Sequence, residues 1–313
     1  MTALSLLRVK LVFFFNQETT MKIASIARRA AVALAATALC WGAVHAQAQN
    51  QDIKLYVFSS GSLGGFAKGA LQMGGEGTFA PNSVPVSFYV LKHPKGNVIF
   101  DNGNNDKTIG NEEGWWGPLA KGFGLKMTKD DAIPAQLAKI GLKVEDIKFA
   151  VVGHLHLDHG GNTYQFKNST IIMQNDEYNA ALAPETGFSV YYIPGDLPDL
   201  KNMNIVKLNG DMDLFGDGTF RIMRAPGHTP GSQFAVVKLP KTGSVILTSD
   251  VVYLKENLDK NLIPPIPGTQ NPRDAYAAIA KIKQIRDAEG ARIFYGHDPE
   301  IFKATKKAPE FYD

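Results

Sequence analysis

A segment of six residues with the sequence HLHLDH, at positions 154–159, contains three histidines and one aspartate. It follows an apolar run at residues 147–152 that is typical of a buried strand. Because side chains alternate faces along an extended chain, His154 and His156 point the same way and can bind one metal ion. The aspartate and the third histidine stand just before a Gly-Gly pair, where the chain can turn, and can reach a second ion. Imidazole and carboxylate groups together favour zinc and its first-row neighbours.

Three further candidate ligands also stand at the ends of strand-like segments. His228 follows the segment 220–223, Asp250 follows 244–249, and His297 follows 292–296. The chain has seven histidines, and five of them therefore fall at strand ends. Folding alone gives no reason for that placement. The sequence predicts a dinuclear metal site, with two Zn²⁺ as the default and other first-row divalent metals as alternatives.

The first 46 residues have the features of a secretory signal peptide. Lys22, Arg28 and Arg29 form a basic start, residues 30–40 are apolar, and small residues around Ala46 offer cleavage sites. We interpret residues 1–20 as an over-extended start, because a regular signal peptide begins at position 21. Residues 47–313 are then the mature chain, and we expect it to be periplasmic or secreted.

Removal of that segment changes the charge of the protein. Residues 1–46 carry five basic side chains and one acidic side chain, a net charge of +4, against +3 for the whole chain. The mature chain is therefore near −1, which argues against a nucleic-acid partner. The single cysteine, Cys40, lies in the removed segment, so the mature chain has no disulfide and tolerates an oxidising compartment. No stable membrane span is expected after the cleavage site.

Strand and helix patterns alternate along the mature chain. Short runs rich in β-branched and aromatic residues predict ten strands, at 53–58, 86–91, 98–100, 149–152, 171–173, 205–208, 220–223, 234–239, 245–248 and 293–295. Helical spacing predicts helices at 129–140, 176–182 and 272–288. With 44% hydrophobic residues and no long linker, residues 47–313 are interpreted as a single α/β domain.

The ordered set of histidines and aspartates resembles the metallo-β-lactamase superfamily. Two further motifs, Ser249-Asp250-Val251-Val252-Tyr253 and Phe294-Tyr295-Gly296-His297-Asp298, are similar to the N-acyl-homoserine lactonases of that superfamily. The resemblance spans nearly all of the mature chain. It implies an αββα sandwich with the metal site at one edge.

The resemblance also implies a role for each candidate ligand. One metal is held by three histidines, the other by one aspartate and two histidines, and a second aspartate bridges them: His154, His156 and His228; Asp158, His159 and His297; Asp250. Asp101, in a segment that replaces the more usual Asp-Thr-Gly, is interpreted as a supporting residue rather than a ligand.

A hydrolytic reaction follows from these roles. Two neighbouring metal ions lower the pKa of a shared water, so that hydroxide is available near neutral pH to attack the carbonyl of a lactone or a similar ester. Tyr253, three residues after the bridging aspartate, is expected to donate a hydrogen bond to the carbonyl oxygen, although simple packing is an alternative. Asp158 can pass a proton to the leaving oxygen.

The sequence evidence for substrate-binding residues is weaker than that for the metal ligands. Trp115 and Trp116 are adjacent in a glycine-rich segment, and one of them could line an apolar pocket on a loop. Core packing or contact with a second copy in a homodimer are equal alternatives for this pair. Leu157 stands where lactonases often have an aromatic residue, and it is a third candidate for the acyl-chain pocket.

Two other activities of the same superfamily stay open. Antibiotic-hydrolysing β-lactamases are also exported, but they do not normally use an aspartate at the Asp250 position. Organophosphate hydrolases are exported and keep that aspartate. A metal-binding protein without enzymatic activity is a third alternative, which predicts metal uptake without hydrolysis.

Overall fold

Residues 52–197 and 199–313 are described by the structure, a computed structural model. The first of its two sheets has six strands in the order β1-β2-β3-β4-β5-β6. These are β1 (Lys54–Leu63), β2 (Val84–Lys92), β3 (Asn97–Phe100), β4 (Ile147–Val151), β5 (Thr170–Gln174) and β6 (Ile205–Leu208). The first three strands pair antiparallel, and β3 to β6 pair parallel.

The second sheet has five strands in the order β11-β10-β9-β8-β7. They are β7 (Met212–Asp213), β8 (Phe220–Arg224), β9 (Gln233–Leu239), β10 (Gly243–Leu247) and β11 (Arg292–Phe294). The described residues also form the α-helices α1 (Glu112–Trp116), α2 (Pro118–Gly122), α3 (Ile133–Ala138), α4 (Asn175–Leu182), α5 (Lys255–Lys260), α6 (Pro272–Glu289) and α7 (Pro299–Ala304). No helix in these ranges is long and apolar enough to span a membrane.

The two sheets pack face to face around the main hydrophobic core. Phe100 and Val151 of the first sheet belong to the same buried cluster as Phe220, Val237 and Leu247 of the second. Full burial of each such side chain contributes roughly 1.5–3 kcal/mol to folding. The two inner faces therefore hold the sandwich together.

Helices cover the outer faces of the sheets. Ile133 and Leu137 of α3 pack on the outside of the first sheet. On the second sheet, α6 buries residues at helical spacing, among them Ala278, Ile279 and Ile282. The layers are thus helix, sheet, sheet and helix, which confirms the αββα sandwich predicted from the sequence.

The ends of α6 follow from local sequence. The Asn271 side chain accepts a hydrogen bond from the backbone N–H of Asp274 and caps the helix, and Pro272 occupies its first turn. Gly290 ends the helix with φ +60, a left-handed conformation that glycine adopts without steric cost. The prediction of this helix is confirmed.

The prediction of one helix over residues 129–140 is wrong. The structure has a 3₁₀ turn at Lys129–Asp131 and then α3, with Ala132 extended between them. Pro134 explains the break, because its ring clashes with the carbonyl four residues earlier in a continuous helix. The predicted signal peptide, residues 1–46 with Cys40 and His45, lies outside the described residues.

Gln233, at the start of β9, connects the two sheets beside the predicted metal site. Its buried side-chain amide donates to the carbonyl of Val152 (2.8 Å), and its carbonyl accepts from the Gln174 side chain (2.8 Å). Its backbone N–H donates to the carbonyl of Gly153 (2.9 Å), just before the first candidate ligand. A polar side chain in this position fixes the end of β4 against the second sheet.

Replacement of Gln233 by leucine should destabilise the protein. The variant keeps the bulk but removes the side-chain donor to the Val152 carbonyl and one of the two acceptors of the Gln174 amide, at a cost of about 1–3 kcal/mol. Urea denaturation of Gln233→Leu measures this loss, with Lys238→Leu, an exposed position on the same strand, as the control. Equal stability of the two variants would contradict the role given to Gln233.

Candidate metal centre and active site

The side chains predicted as metal ligands come from loops that meet at one edge of the sandwich. The segment 154–159 follows β4, and His228 lies in the turn between β8 and β9. Asp250 lies in a 3₁₀ turn, Ser249–Val251, directly after β10, and His297 follows β11. All seven side chains are brought together, although their positions in the chain differ by up to 143 residues, from His154 to His297.

Three imidazoles form the first cluster. His228 Nε2 lies 2.9 Å from His154 Nε2 and 3.0 Å from His156 Nδ1. All three side chains are buried. Their nitrogen atoms point toward a common centre, so they could hold one metal ion.

The second cluster contains Asp158, His159 and His297. The two histidine Nε2 atoms are 3.3 Å apart. Asp158 Oδ2 lies 3.7 Å from His159 Nε2 and 3.4 Å from His297 Nε2. Asp158 is the most exposed of the seven candidate ligands and stands on the open side of the site.

Asp250 lies between the two clusters and faces both. Its Oδ1 atom is 3.1 Å from the Nε2 atoms of both His159 and His297. Its Oδ2 atom is 3.6 Å from His228 Nε2 and 3.8 Å from His154 Nε2. One carboxylate therefore offers an oxygen to each cluster.

Three of the five histidines have an acceptor beside their outward nitrogen, which leaves the inward nitrogen to bind metal. His159 Nδ1 contacts Asp101 Oδ2 (2.9 Å), His297 Nδ1 contacts the Pro85 carbonyl (2.8 Å), and His228 Nδ1 contacts the Gly268 carbonyl (2.6 Å). These acceptors keep the ring proton on the outward nitrogen, as carboxylates and carbonyls do for metal-binding histidines. The inward nitrogens are therefore the atoms that can bind metal.

The spacing within each cluster also fits a metal pair. A tetrahedral ion with ligand bonds of about 2.1 Å places neighbouring ligand atoms about 3.4 Å apart. The measured separations of 2.9–3.8 Å lie around that value. Asp250 Oδ1 is buried without a hydrogen-bond partner, so a cation would satisfy it. The donor set of nitrogen and oxygen atoms suits zinc and the other first-row divalent ions.

Burial and mutual repulsion set the charge of these groups. Desolvation, and then the neighbouring imidazoles, hold the pKa of His154 well below its usual value, so the ring is neutral and able to bind metal. Burial alone would raise the pKa of Asp250, but His159 and His297 outweigh it and hold that pKa well below its usual value. The carboxylate is therefore ionised.

Tyr253 lies against both clusters. Its hydroxyl is 3.0 Å from His228 Nδ1, and its ring stacks on that of His297 at a centroid distance of 5.5 Å. Burial, and then the charges of Asp250 and Asp158, raise the pKa of Tyr253 well above its usual value. The phenol keeps its proton and can donate a hydrogen bond into the site.

A mainly apolar cavity of about 220 Å³ opens over the metal-ligand side chains. His156, Asp158, His228, Asp250, His297 and Tyr253 form its polar wall. Its apolar walls include Leu63, Phe66, Leu71, Trp116, Phe123 and Leu157. Trp116 and Leu157 therefore lie where the sequence analysis placed them.

Trp115 does not line this cavity, so its assignment as a pocket residue is wrong. The segment is helical rather than extended, and the Trp115 indole N–H donates to Asp196 Oδ1 (2.7 Å) on the neighbouring 3₁₀ turn. The ring also contacts Gly195, whose missing Cβ leaves room for it. A buried hydrogen-bond acceptor thus draws Trp115 away from the cavity.

Sequence reasoning missed several wall residues, of which Tyr191 is the most informative. Its ring centroid is 5.1 Å from that of His156, and its carbonyl accepts from the backbone N–H of Leu157 (3.0 Å). Tyr191 lies in an irregular stretch with short 3₁₀ turns. That stretch has no periodic pattern, and the adjacent tyrosines 191 and 192 are the one signal in the sequence that could have indicated it.

The site and the fold match those of known proteins. A family profile described as Metallo-beta-lactamase superfamily matches residues 82–297. The chain belongs to the metallo-beta-lactamase superfamily. The recognition made from the histidine motif is therefore confirmed.

Lactonases are prominent among its relatives in the superfamily. The N-acyl homoserine lactonase AttM of Azorhizobium caulinodans is 34% identical over 266 residues, which cover 84% of this chain and 99% of the relative. The N-acyl homoserine lactonase AiiA of Bacillus thuringiensis subsp. kurstaki is 32% identical over 230 residues, or 73% and 87% of the two chains.

Solved structures support the same relationship. An N-acyl homoserine lactone hydrolase with N-hexanoyl-L-homoserine at its catalytic metal centre superposes with a TM-score of 0.72 at 29% identity. The match covers 83% of this chain and 98% of that one. The lactonase AidC, at 17% identity and a TM-score of 0.58, shares the fold.

Asp196, the acceptor of Trp115, should make the stability of the protein depend on pH. Burial raises the pKa of Asp196 from 3.8 to about 7, against the opposing hydrogen bonds from Trp115 and Asn105. The folded state thus holds a proton that the unfolded chain loses near pH 4. Stability should fall as pH rises from about 4 to about 7, by up to about 4 kcal/mol.

Urea denaturation of Asp196→Asn at several pH values measures this effect. Asparagine cannot ionise, so the stability of the variant relative to the wild type should increase across that pH range. Asp199→Asn, at an exposed neighbouring position, serves as the control. Parallel pH curves for the wild type and Asp196→Asn would show that Asp196 does not titrate in this range.

Proposed function

We propose that this chain is a metal-dependent hydrolase that opens the lactone ring of N-acyl homoserine lactones or similar lactones and esters. The observation that carries the proposal is the placement of Asp250, which offers one carboxylate oxygen to each of two histidine-containing clusters. Relatives that align with nearly their whole length to this chain are N-acyl homoserine lactonases. The site geometry and these relatives both support a lactone hydrolase.

We assign the ligands as the geometry groups them. His154, His156 and His228 would hold one ion, Asp158, His159 and His297 would hold the other, and Asp250 would offer an oxygen to each. When bound, two such ions lower the pKa of a water and polarise a carbonyl group. Zinc is the expected metal, and manganese, iron and cobalt suit the same donor atoms.

Protein side chains complete the chemistry. The Tyr253 hydroxyl, which keeps its proton, donates a hydrogen bond to the carbonyl oxygen of the substrate as negative charge develops there. Asp158, on the open side of the site, is placed to take a proton from the attacking water and pass it to the oxygen that leaves when the ring opens. Both residues face the cavity, so a substrate bound there can reach them.

The apolar walls determine the class of substrate. A lactone that carries an acyl chain can place its polar ring against the metal ligands and its chain against Phe66, Trp116 and Leu157. Burial of that chain also excludes water from the site, which strengthens the electrostatic contacts of the ring.

Side-by-side turnover tests this function. The purified protein, loaded with zinc, should hydrolyse an acyl homoserine lactone much faster than a cephalosporin or an aryl phosphotriester, the substrates of the two alternative activities. Removal of the metal with a chelator should abolish turnover, and added Zn²⁺ should restore it. A faster reaction with either alternative substrate, or turnover that survives complete removal of the metal, would refute the proposal.

Replacement of Asp250 by asparagine should remove one metal ion and nearly all activity. The amide has one oxygen and no charge, so it cannot serve both clusters. The metal content, measured by elemental analysis, should fall from two ions per chain toward one. Lactone turnover should fall by at least about 100-fold. Wild-type turnover by this variant would show that the bridge is assigned wrongly.

Replacement of Tyr253 by phenylalanine should slow the reaction without loss of metal. The ring and its stacking on His297 are kept, and only the donated hydrogen bond is removed. We expect two ions per chain and a decrease in kcat of up to about 100-fold. An unchanged kcat would indicate that Tyr253 only packs against the ligands.

We also propose that the protein is exported, on the basis of the basic and apolar segments within residues 1–46. A periplasmic or secreted location fits a mature chain without cysteine. Detection of the protein in cell fractions tests the location, and the mass of the exported form tests the cleavage site.

A further inference from the structure

Glu177 is a fully buried carboxylate directly beside the metal-ligand loops. It lies on α4, a helix that carries none of the seven candidate ligands, and its exposed fraction is 0%. A carboxylate is costly to bury unless its oxygens are well satisfied. Its surroundings therefore indicate what it does.

The Glu177 side chain contacts both loops that supply the first histidine cluster. Its Oε1 atom accepts from the backbone N–H of Leu155 (2.8 Å), the residue between His154 and His156. Its Oε2 atom accepts from the hydroxyl of Thr229 (2.5 Å), the residue after His228. One side chain thus spans the two loops.

Further contacts fix the same loops. The Tyr192 hydroxyl donates to Glu177 Oε1 (3.2 Å), and the Tyr192 ring packs edge-on against His156 at a centroid distance of 4.8 Å. Ser232 Oγ lies 2.7 Å from Thr229 Oγ1 and accepts from the Thr229 backbone N–H (3.0 Å). The carboxylate is the centre of this hydrogen-bond network.

The backbone of α4 is also held against the second loop. A Cβ atom on Gly231 would lie 2.1 Å from the backbone nitrogen of Glu177, so only glycine permits this approach. Because the helix and the loop are in direct contact, the Glu177 side chain has little freedom to move away from Thr229.

The groups around Glu177 donate hydrogen bonds rather than positive charge. Burial raises the pKa of its carboxyl, and the bonds from Thr229, Leu155 and Tyr192 oppose that rise. An apolar side chain of similar size would fill the same space without this desolvation cost. The carboxylate must therefore contribute something that packing does not.

We infer that Glu177 is a positioning residue for the metal centre, which sets the separation of His154 and His156 from His228 by joining the loops on which they lie. It touches neither the ligand atoms nor the cavity, so its effect on the reaction is indirect. The inference rests on the proposed metal centre and adds a residue that determines its geometry.

Glu177→Leu, Glu177→Gln and Asp176→Asn test this role. Leucine keeps the bulk and removes both acceptors. Glutamine keeps one acceptor for Leu155, and the Thr229 hydroxyl can turn to accept from the amide. Asp176 is the neighbouring carboxylate on α4, paired with Arg224 on the half-exposed surface, and serves as the matched control.

Two readouts separate positioning from simple stability. The affinity for Zn²⁺ is measured by competition with a chelator, and the visible absorption spectrum of the Co²⁺-loaded protein reports the coordination geometry. We expect Glu177→Leu to bind zinc about 10- to 100-fold more weakly and to alter the cobalt spectrum. Glu177→Gln should recover most of the affinity, and Asp176→Asn should match the wild type.

A lower melting temperature of metal-free Glu177→Leu with wild-type zinc affinity and cobalt spectrum would overturn the inference, because the role would then be structural only. If Glu177→Leu does not fold, Thr229→Val decides, since it removes one donor and keeps the shape. Unaltered affinity and spectrum in that variant overturn the inference.

The result is separable from that of the proposed function. Failure of the wild-type protein to bind two ions or to open a lactone would refute the metal centre itself. Wild-type protein that does both, together with Glu177 variants that bind metal normally, would refute only the positioning role.

Discussion

Crowding of buried ligand atoms is the constraint on which this structure depends. Five imidazoles and two carboxylates, one of them that of Asp250, present nitrogen and oxygen atoms to one another at 2.9–3.8 Å. Without a cation, the imidazoles of the first cluster disfavour one another's charge and a buried oxygen of Asp250 has no hydrogen-bond partner. Two divalent ions would convert this repulsion into binding energy. The fold must therefore hold these ligand atoms close together, at a cost in stability, for the site to bind metal.

The rest of the fold supplies the force that holds this arrangement. Two sheets with a shared apolar core fix the ends of β4, β8, β10 and β11, and the ligands follow those ends. Backbone strain also occurs there. Asp101 and Ser249 have φ values of 60 and 47, unusual for residues other than glycine, and both contact His159 Nδ1. Such strain is maintained only because the surrounding core is well packed.

Polar and apolar walls meet in one cavity, and each depends on the other. The apolar wall, with Phe66 and Trp116, gives room for an acyl chain and keeps water away from the ligands. The polar wall, with Tyr253 and Asp158, then acts in a medium of low dielectric constant, where each hydrogen bond and charge has a larger effect. The polar wall thus affects the rate of the reaction, and the adjacent apolar wall affects which substrates bind.

Much of the fold and of the metal-ligand set could be predicted from the sequence alone. The alternation of strands, the capped helix α6 and the segment 154–159 are local patterns, and they predicted the sandwich, the superfamily and a grouping of ligands that the structure brings together. Local sequence patterns did not predict side-chain positions that depend on contacts between distant parts of the chain. Asp196 draws Trp115 from the cavity, Tyr191 enters it from an irregular stretch, and Glu177 joins two loops. These contacts depend on three-dimensional packing, because the partners are far apart in the chain and no periodicity links them.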